Sequence, residues 1–271
     1  MSGVILKNDF HEMLNDEAKE ASTESLDAHR HYNWWTLISA YSRCNLTFEK
    51  DKWPAIQGLA QQVALVWGQE MFYGLWAHNF ARELLWQVRR RATRRLDTGA
   101  PSWSWLSVDS EVTNVSRSYF EKPHKCAEIC KAPVSSIFSP RLSRFGEVRP
   151  PELLITACIS GLVSTTRLDP LIDQYNCVLH GRKKDWKTRA KWTPDTDSVT
   201  TKDTFALHVF SYTPQYQVGL VIVPVDQVNR TWRRVGYYET LDSAAPTAVD
   251  SESFKKDRST CGGIRVQLTL L

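Results

Sequence analysis

The sequence predicts an α+β protein, in which an N-terminal helical layer is followed by a mainly antiparallel β-sheet or β-sandwich. Up to about residue 98, apolar residues recur at the 3.6-residue spacing of helices. From residue 99 onward, short runs rich in Val, Ile, Leu, Tyr and Trp are broken by Pro, Gly, Asp and Ser. Helix-length patterns do not separate most of these runs, so their strands are expected to pair antiparallel.

These patterns predict three regions. Residues 1–33 are acidic and form a solvated arm or helix, and residues 34–98 form the helical region. Residues 99–271 form the β-rich region, with long polar loops expected at 181–203 and 241–260.

Three helices are predicted in the helical region. The first carries Trp34, Leu37, Ile38 and Tyr41 at i, i+3, i+4 and i+7. The second is expected to begin near Pro54, with Asp51 or Thr47 as its cap. Its apolar face comprises Trp53, Ile56, Ala60, Val63 and Trp67.

The third helix is predicted from Phe80, Leu84 and Val88, which are spaced by four, and it ends in the basic cluster 89–95. Cations are favoured at a helix C-terminus, so this cluster has an ordinary explanation. The alternative, which is more specific, is that this cluster and the basic stretch 182–191 bind nucleic acid. No aromatic stacking platform accompanies the arginines, so nucleic acid is not the expected partner.

The β-rich region is predicted to begin with a strand over 103–110, where residues alternate around Trp103 and Trp105. Further strands are predicted at 125–132, 153–163, 175–180, 205–210, 218–225, 232–239 and 263–270.

The composition limits the possible classes of protein. The net charge of +4 is mild, and no apolar run approaches the roughly 20 residues that a membrane helix needs. Residues 1–10 lack a secretory signal pattern, so the six cysteines are expected to be reduced in a cytoplasmic protein, with a nuclear location also open. Cys126 and Cys130 miss the usual zinc spacing, and neither a metal nor a cofactor is expected.

Motifs of the common catalytic classes are absent from the sequence: there is no GxSxG, HExxH or GxxxxGK[ST]. His78 follows a turn and could line a pocket with Tyr73 or Asp109, although a surface or capping histidine is the more ordinary interpretation. The eleven tryptophans are open to two interpretations as well. They could line a pocket for a small apolar ligand, or they could form the core between the two layers, which is the favoured interpretation.

Two segments carry a family resemblance. The segment WTLISAYSRCNLTFEKDKWPAIQGLA (35–60) and the series YGLW (73–76), LLW (84–86) and APSWSWLSVD (100–109) resemble the C-terminal part of fungal heterokaryon-incompatibility (HET-domain) proteins. GLVIVPVDQVNRTWRRVGYY (219–238) is similar to a later hairpin of that family. Departures are Trp53, where an aliphatic residue is usual, and Ser110, where glycine is usual.

The resemblance implies a role in non-self recognition between fungal strains. The family's activity is expected in its N-terminal HET domain, which is related to TIR-type domains that cleave NAD in some relatives. Residues 1–33 are too few to hold that domain, so no catalytic residue is carried over. The expectation is a HET-like accessory or regulatory protein, more binding module than enzyme, whose partner is another HET-type protein. The alternative is a small-molecule tailoring enzyme, a cyclase or isomerase, with an aromatic pocket.

Overall fold

The fold is taken from a computed structural model of the chain. It describes residue 13 and residues 23–44, 51–89, 100–114, 124–125, 127–131, 152–169, 174–180, 187–196, 203–212, 216–226, 228–240 and 264–271. The predicted loop 241–260, most of residues 1–22 and residues 90–99, which hold the rest of the basic cluster, lie outside these residues.

The helical layer contains α1 (Thr23–Ser42), α2 (Lys52–Trp67) and the short α3 (Phe80–Glu83). α1 begins before Trp34 and thus includes part of the stretch predicted as an acidic arm or helix. α2 has Asp51 at its N-cap position and Pro54 in its first turn, as predicted, but the Asp51 side chain makes no capping hydrogen bond. α2 ends at Gly68, whose φ of 62° lies in the left-handed region that favours glycine.

Short strands and turns connect these helices to the sheet. A tight hairpin joins β1 (Met71–Phe72) to β2 (Leu75–Trp76), and β3 (Gln87–Val88) pairs with β4 (Val112–Thr113). The main sheet comprises β5 (His124–Lys125), β6 (Glu128–Lys131), β7 (Leu153–Asp169), β8 (Gln174–His180), β9 (Lys187–Pro194), β10 (Phe205–Ser211), β11 (Gln217–Asp226), β12 (Thr231–Thr240) and β13 (Ile264–Leu270).

Six of these strands close on themselves. Hydrogen-bonded pairing runs β7–β8–β9–β12–β11–β10 and returns from β10 to β7, where Phe205 lies opposite Gly161. All of these pairs are antiparallel. We call this arrangement the strand ring. β13 pairs with the first half of β7 and, in parallel, with the start of β12, so it bridges these two strands.

The alternation of side chains along the strands produces two apolar cores. Side chains from all six strands, among them Leu162, Leu179, Trp192, Val221 and Tyr238, form a cluster that fills the strand ring. Their neighbours, such as Leu207 and Leu220, point outward and join the tryptophans of the helical layer in a second, larger cluster. The strand ring therefore encloses one apolar core and packs its outer face against the helical layer through the other.

The predicted fold class is confirmed. The helical part precedes a mostly antiparallel sheet. The strands predicted at 175–180, 205–210, 218–225, 232–239 and 263–270 are present with small shifts of their ends, and the strand predicted at 153–163 continues to Asp169. The segment 125–132 is divided between β5 and β6.

The predicted third helix is wrong beyond Glu83. Leu84 and Val88 are buried, as their spacing indicated, but the chain turns at Leu84 and continues into β3. The reason lies far along the sequence, because the carbonyl oxygens of Leu84 and Trp86 accept hydrogen bonds from the Arg234 guanidinium at 2.6 and 2.5 Å. Because these carbonyls accept hydrogen bonds from Arg234, they do not accept the backbone N–H groups that would continue the helix.

The predicted strand over 103–110 is also wrong. Residues 101–108 are all buried and form turns and a 3-10 helix (Trp105–Ser107). The Ser104 hydroxyl accepts the Leu106 N–H at 3.1 Å, and the Ser107 hydroxyl donates to the Ser104 carbonyl at 2.7 Å. Such local serine bonds compete with a strand ladder.

The predicted loop 181–203 contains a strand, β9. Ala190 and Trp192 face the interior of the strand ring, whereas Arg189 before them is exposed and Lys191 between them is half-buried. The basic residues suggested a solvated loop, yet Arg189 and Lys191 occupy the outer face of a strand whose inner face is apolar.

Candidate functional site

The YGLW and APSWSW segments are bonded to each other. Tyr73 and Gly74 form the two-residue turn between β1 and β2, and both have positive φ (49° and 81°). The Trp105 indole N–H donates to the Gly74 carbonyl at 3.0 Å, and the Ser104 hydroxyl donates to the Tyr73 carbonyl at 2.7 Å. A Cβ on Gly74 would lie 2.4 Å from the Trp105 indole nitrogen, so only glycine fits this contact.

The LLW segment is held by the sheet through Arg234. This fully buried guanidinium stacks 3.4 Å from the Trp86 ring and forms a two-point ion pair with Asp195 at 2.9 and 3.1 Å. The Trp86 indole N–H donates to the Trp103 carbonyl at 2.8 Å. Burial lowers the pKa of Arg234, an effect that the Asp195 carboxylate opposes.

The first resembling segment joins the same assembly. The Tyr41 hydroxyl donates to the Lys52 carbonyl at 2.5 Å, and the Ser42 hydroxyl accepts the Val112 N–H at 3.0 Å. The Lys52 ammonium is buried, donates to the Val108 carbonyl at 2.7 Å and lies 5.3 Å from the Trp105 ring. The residues that carry the family resemblance thus connect the segments of the helical layer to one another and connect that layer to the strand ring.

The three residues predicted to line a pocket have different surroundings. His78 is largely exposed, and its Nε2 lies 2.9 Å from the Asp27 carboxylate. Tyr73 is half-buried, with its ring packed edge-on against Trp103, and Asp109 is exposed. None of the three lines the cleft described next.

A cleft opens between α1, the end of α2 and the β2–α3 turn. It measures about 230 Å³, counting the solvent-filled space at its mouth. Its lining combines charged, amide and indole side chains: Asp27, Arg30, His31, Trp67, Gln69, Trp76, Asn79 and Glu83.

A buried acid–base pair lines this cleft. Glu83 is fully buried, and one of its carboxylate oxygens contacts His31 Nδ1. The same oxygen accepts the Trp35 indole N–H at 3.2 Å, and the other accepts the Trp76 backbone N–H at 3.4 Å. Two N–H donors and the contacting His31 ring therefore surround the buried carboxylate, and the His31–Glu83 contact joins α1 to α3.

Tryptophans form the apolar wall of the cleft. The Trp67 and Trp76 rings lie 4.9 Å apart, Trp34 meets Trp76 edge-on at 5.1 Å, and the Arg30 guanidinium lies 5.5 Å from the Trp67 ring. The Trp76 indole nitrogen is buried and has no hydrogen-bond partner among the described residues. The core interpretation therefore holds for the buried Trp86, Trp103 and Trp105, whereas Trp76 belongs both to the core and to the cleft.

A second polar cluster lies inside the strand ring. His208 Nε2 is 2.8 Å from the Ser160 hydroxyl, and its Nδ1 is 2.5 Å from the Tyr238 hydroxyl. Burial lowers the pKa of His208 to about 4, so its imidazole is neutral at pH 7. The phenol is the stronger acid and donates to Nδ1, which leaves the Nε2 hydrogen to bond Ser160.

This cluster has the order of a hydroxyl, a histidine and an orienting group, as in hydrolases. All three side chains are nevertheless buried among the apolar residues that fill the strand ring. A histidine that donates to the serine also cannot take its proton. The cluster is therefore a polar part of the core whose hydrogen bonds are satisfied.

The described cysteines and metal-binding residue types complete the chemical survey. Cys44, Cys158 and Cys177 are free thiols, and burial raises the pKa of Cys177 to about 12. Cys126 lies outside the described residues, which contain no group of three His, Cys, Asp or Glu side chains placed to hold a metal ion. Over those residues, no helix is long and apolar enough to cross a membrane.

The chain matches no protein-family model, no curated protein and no solved structure. The resemblance to HET-type proteins therefore stays a prediction from the residues quoted above.

Proposed function

We propose that this chain is a HET-like accessory or regulatory module that acts by binding a protein partner, with the cleft at His31 and Glu83 receiving one side chain of that partner. The observation that carries the proposal is the lining of the cleft, where the buried Trp76 indole N–H has no hydrogen-bond partner among the described residues.

The lining favours an uncharged guest with a hydrogen-bond acceptor. Trp76 supplies an indole N–H without a described partner, and Gln69 and Asn79 supply amides. The Glu83 carboxylate already accepts two N–H groups and contacts His31, so it offers little to a cationic guest. An amide side chain, as in Asn or Gln, would be desolvated at lower cost than a charged one. The resemblance supports a HET-type protein as the partner.

The alternative, a tailoring enzyme for a small apolar substrate, receives less support. It requires an aromatic cavity of roughly 300 Å³ or more. Its best argument is the His31–Glu83 pair, since histidine and glutamate are general acid–base residues. The same pair fastens α1 to α3, which explains it without catalysis.

Calorimetric titration of the purified chain against full-length HET-domain proteins of the same genome tests the proposal. Asn79→Trp should fill the cleft without disturbing α3, because Asn79 makes no side-chain capping hydrogen bond. We expect this variant to bind at least about tenfold more weakly than the wild type, as for loss of a central contact. Val228→Lys, at an exposed position outside the cleft, is the control. Absence of binding by the wild type, or equal binding by Asn79→Trp, would refute the proposal.

A further inference from the structure

Trp67 lies at the border between the apolar core and the cleft. It is the last residue of α2 and is buried, yet its ring lines the cleft. The ring centre lies 4.9 Å from that of Trp76 and 5.5 Å from the Arg30 guanidinium. A change in the orientation of the Trp67 ring would therefore move the wall against which Trp76 and Arg30 pack.

A hydrogen bond selects the orientation of this ring. The outer side-chain torsion of tryptophan is broad and roughly two-fold, so two ring orientations are available to an indole, and they differ in the direction of its single N–H. The buried Trp67 N–H donates to the backbone carbonyl of Met13 at 3.1 Å. The opposite orientation would leave a buried donor and a buried acceptor unpaired, which is costly.

Met13 is held in place by its own side chain. That side chain is 2% exposed and belongs to the same apolar cluster as Trp67. Met13 and Trp67 are 54 positions apart in the sequence, so their contact is a product of packing and not of local chain geometry. The buried side chain therefore fixes the carbonyl, and the carbonyl fixes the indole.

The two neighbouring indoles of the cleft differ in their hydrogen bonding. The Trp67 N–H binds a carbonyl oxygen of the chain itself, whereas the buried Trp76 N–H has no partner among the described residues. An amide guest would offer Trp76 the same type of acceptor that Met13 offers Trp67. The direction in which the Trp76 N–H points depends on how the Trp76 ring packs against Trp67.

We propose that Met13 is a positioning residue for the cleft. Its carbonyl sets the Trp67 ring, and the Trp67 ring sets the Trp76 indole that receives the guest. Binding at the cleft is thereby regulated from the N-terminal part of the chain, because any event that removes Met13 from Trp67 disturbs the receiving indole. The regulatory part of this inference rests on the proposed function, whereas the coupling of the two indoles does not.

Selective 15N labelling of the tryptophans in the full chain tests the coupling, because each indole N–H gives one signal. Trp67→Phe and Trp76→Phe identify two of the signals by their loss. Met13→Ala should shift both signals and speed hydrogen exchange at the Trp67 indole by about tenfold or more, since the carbonyl loses its anchor. Met13→Leu keeps the apolar volume and should restore both signals. Leu179→Ala, inside the strand ring, is the control and should shift neither.

A double variant separates positioning from a general loss of packing. In the Trp67→Phe background the indole N–H is absent, so Met13→Ala should no longer shift the Trp76 signal. Met13→Val is a smaller truncation and replaces Met13→Ala in both backgrounds if the alanine variant does not fold. A Trp76 signal that ignores the Met13 substitution, or that shifts equally in both backgrounds, would overturn the proposal.

Calorimetric titration with a HET-domain protein tests the consequence for binding. Met13→Ala should weaken the binding about fivefold, and Met13→Leu should leave it unchanged. If no HET-domain protein binds the wild type, the proposed function fails, and the indole signals still decide whether Met13 positions Trp67 and Trp76. If the wild type binds and Met13→Ala binds equally well, the inference about Met13 fails and the proposed function stands.

Discussion

His208 is held between two hydroxyls in the strand ring, and its environment favours the neutral imidazole. Its pKa is lowered to about 4 by burial, whereas in the unfolded chain it returns to about 6.5. The unfolded state therefore binds the additional proton between these pH values, and the folded state does not.

The free energy of unfolding should consequently fall as the pH decreases from about 6.5 towards 4. The loss that is due to His208 should reach about 3 kcal/mol at pH 4. His208→Gln retains polar atoms but cannot titrate. Urea unfolding measured across this range should show a shallower pH dependence for the variant than for the wild type. Parallel curves would contradict the assigned neutral state of His208.

Arg234 and Asp195 form a second buried polar contact. Asp195→Asn keeps the shape of the side chain but leaves the guanidinium buried without a counter-charge. We expect a loss of about 3–5 kcal/mol in the free energy of unfolding, as found when one partner of a buried pair is removed.

Arg89 and Glu111 provide the comparison for this effect. Their ion pair spans 3.6 Å, with the Arg89 side chain more than half exposed. Arg89→Ala should therefore change the free energy of unfolding by less than about 1 kcal/mol. Equal losses for the two variants in denaturant titrations would show that Arg234 does not hold the two layers as described.

Among the elements, the β1–β2 hairpin depends most clearly on one residue. Gly74→Ala would press a Cβ against the Trp105 indole at a φ of 81°. We expect a destabilisation of at least about 2 kcal/mol, from backbone strain together with overpacking.

Gly58→Ala is the matched control for the hairpin variant. The same substitution in α2 meets open space within a helix, so it should stabilise the fold by about 0.5–1 kcal/mol. Thermal unfolding of both variants checks the two signs. A neutral Gly74→Ala would mean that the turn does not need glycine.

The elements differ in how far their own sequences specify them. α2 and strands such as β10 follow local patterns, because their apolar periodicity matches their burial. The end of α3 does not, since Arg234, which binds the Leu84 and Trp86 carbonyls, comes from a strand far along the chain. In β9, Ala190 and Trp192 alternate with basic residues, a pattern that is typical of a half-buried strand. The many charges in this segment favoured the prediction of a solvated loop instead.

The candidate site was not predictable from local spacing. His31 lies on α1 and Glu83 on α3, and they meet only when the helical layer packs. Ser160, His208 and Tyr238 likewise come from three different strands. The segments Tyr73–Trp76 and Ala100–Asp109, which carry the resemblance, bond one another in the structure, a contact that the sequence pattern did not predict.

At the scale of the whole molecule, the motif segments connect the helical layer to the strand ring. The Arg234 guanidinium on β12 donates to the Leu84 carbonyl of the LLW segment, and the Arg234 backbone N–H donates to the Ser102 hydroxyl at 3.0 Å. The Ser102 N–H in turn donates to the Leu271 carbonyl at 2.8 Å, just beyond β13. These contacts predict that the two layers unfold as one cooperative unit.

Native-state hydrogen exchange followed by mass spectrometry tests this central claim most directly. Buried hydrogen-bonded amides in the segments 84–88 and 102–108 should exchange only through global unfolding, with the same free energy of opening as the amides of β10, β11 and β12. Asp195→Asn should lower both values together. Opening of the motif segments at a free energy several kcal/mol below that of the strand ring would contradict the account, because the helical layer would then be a separate unit.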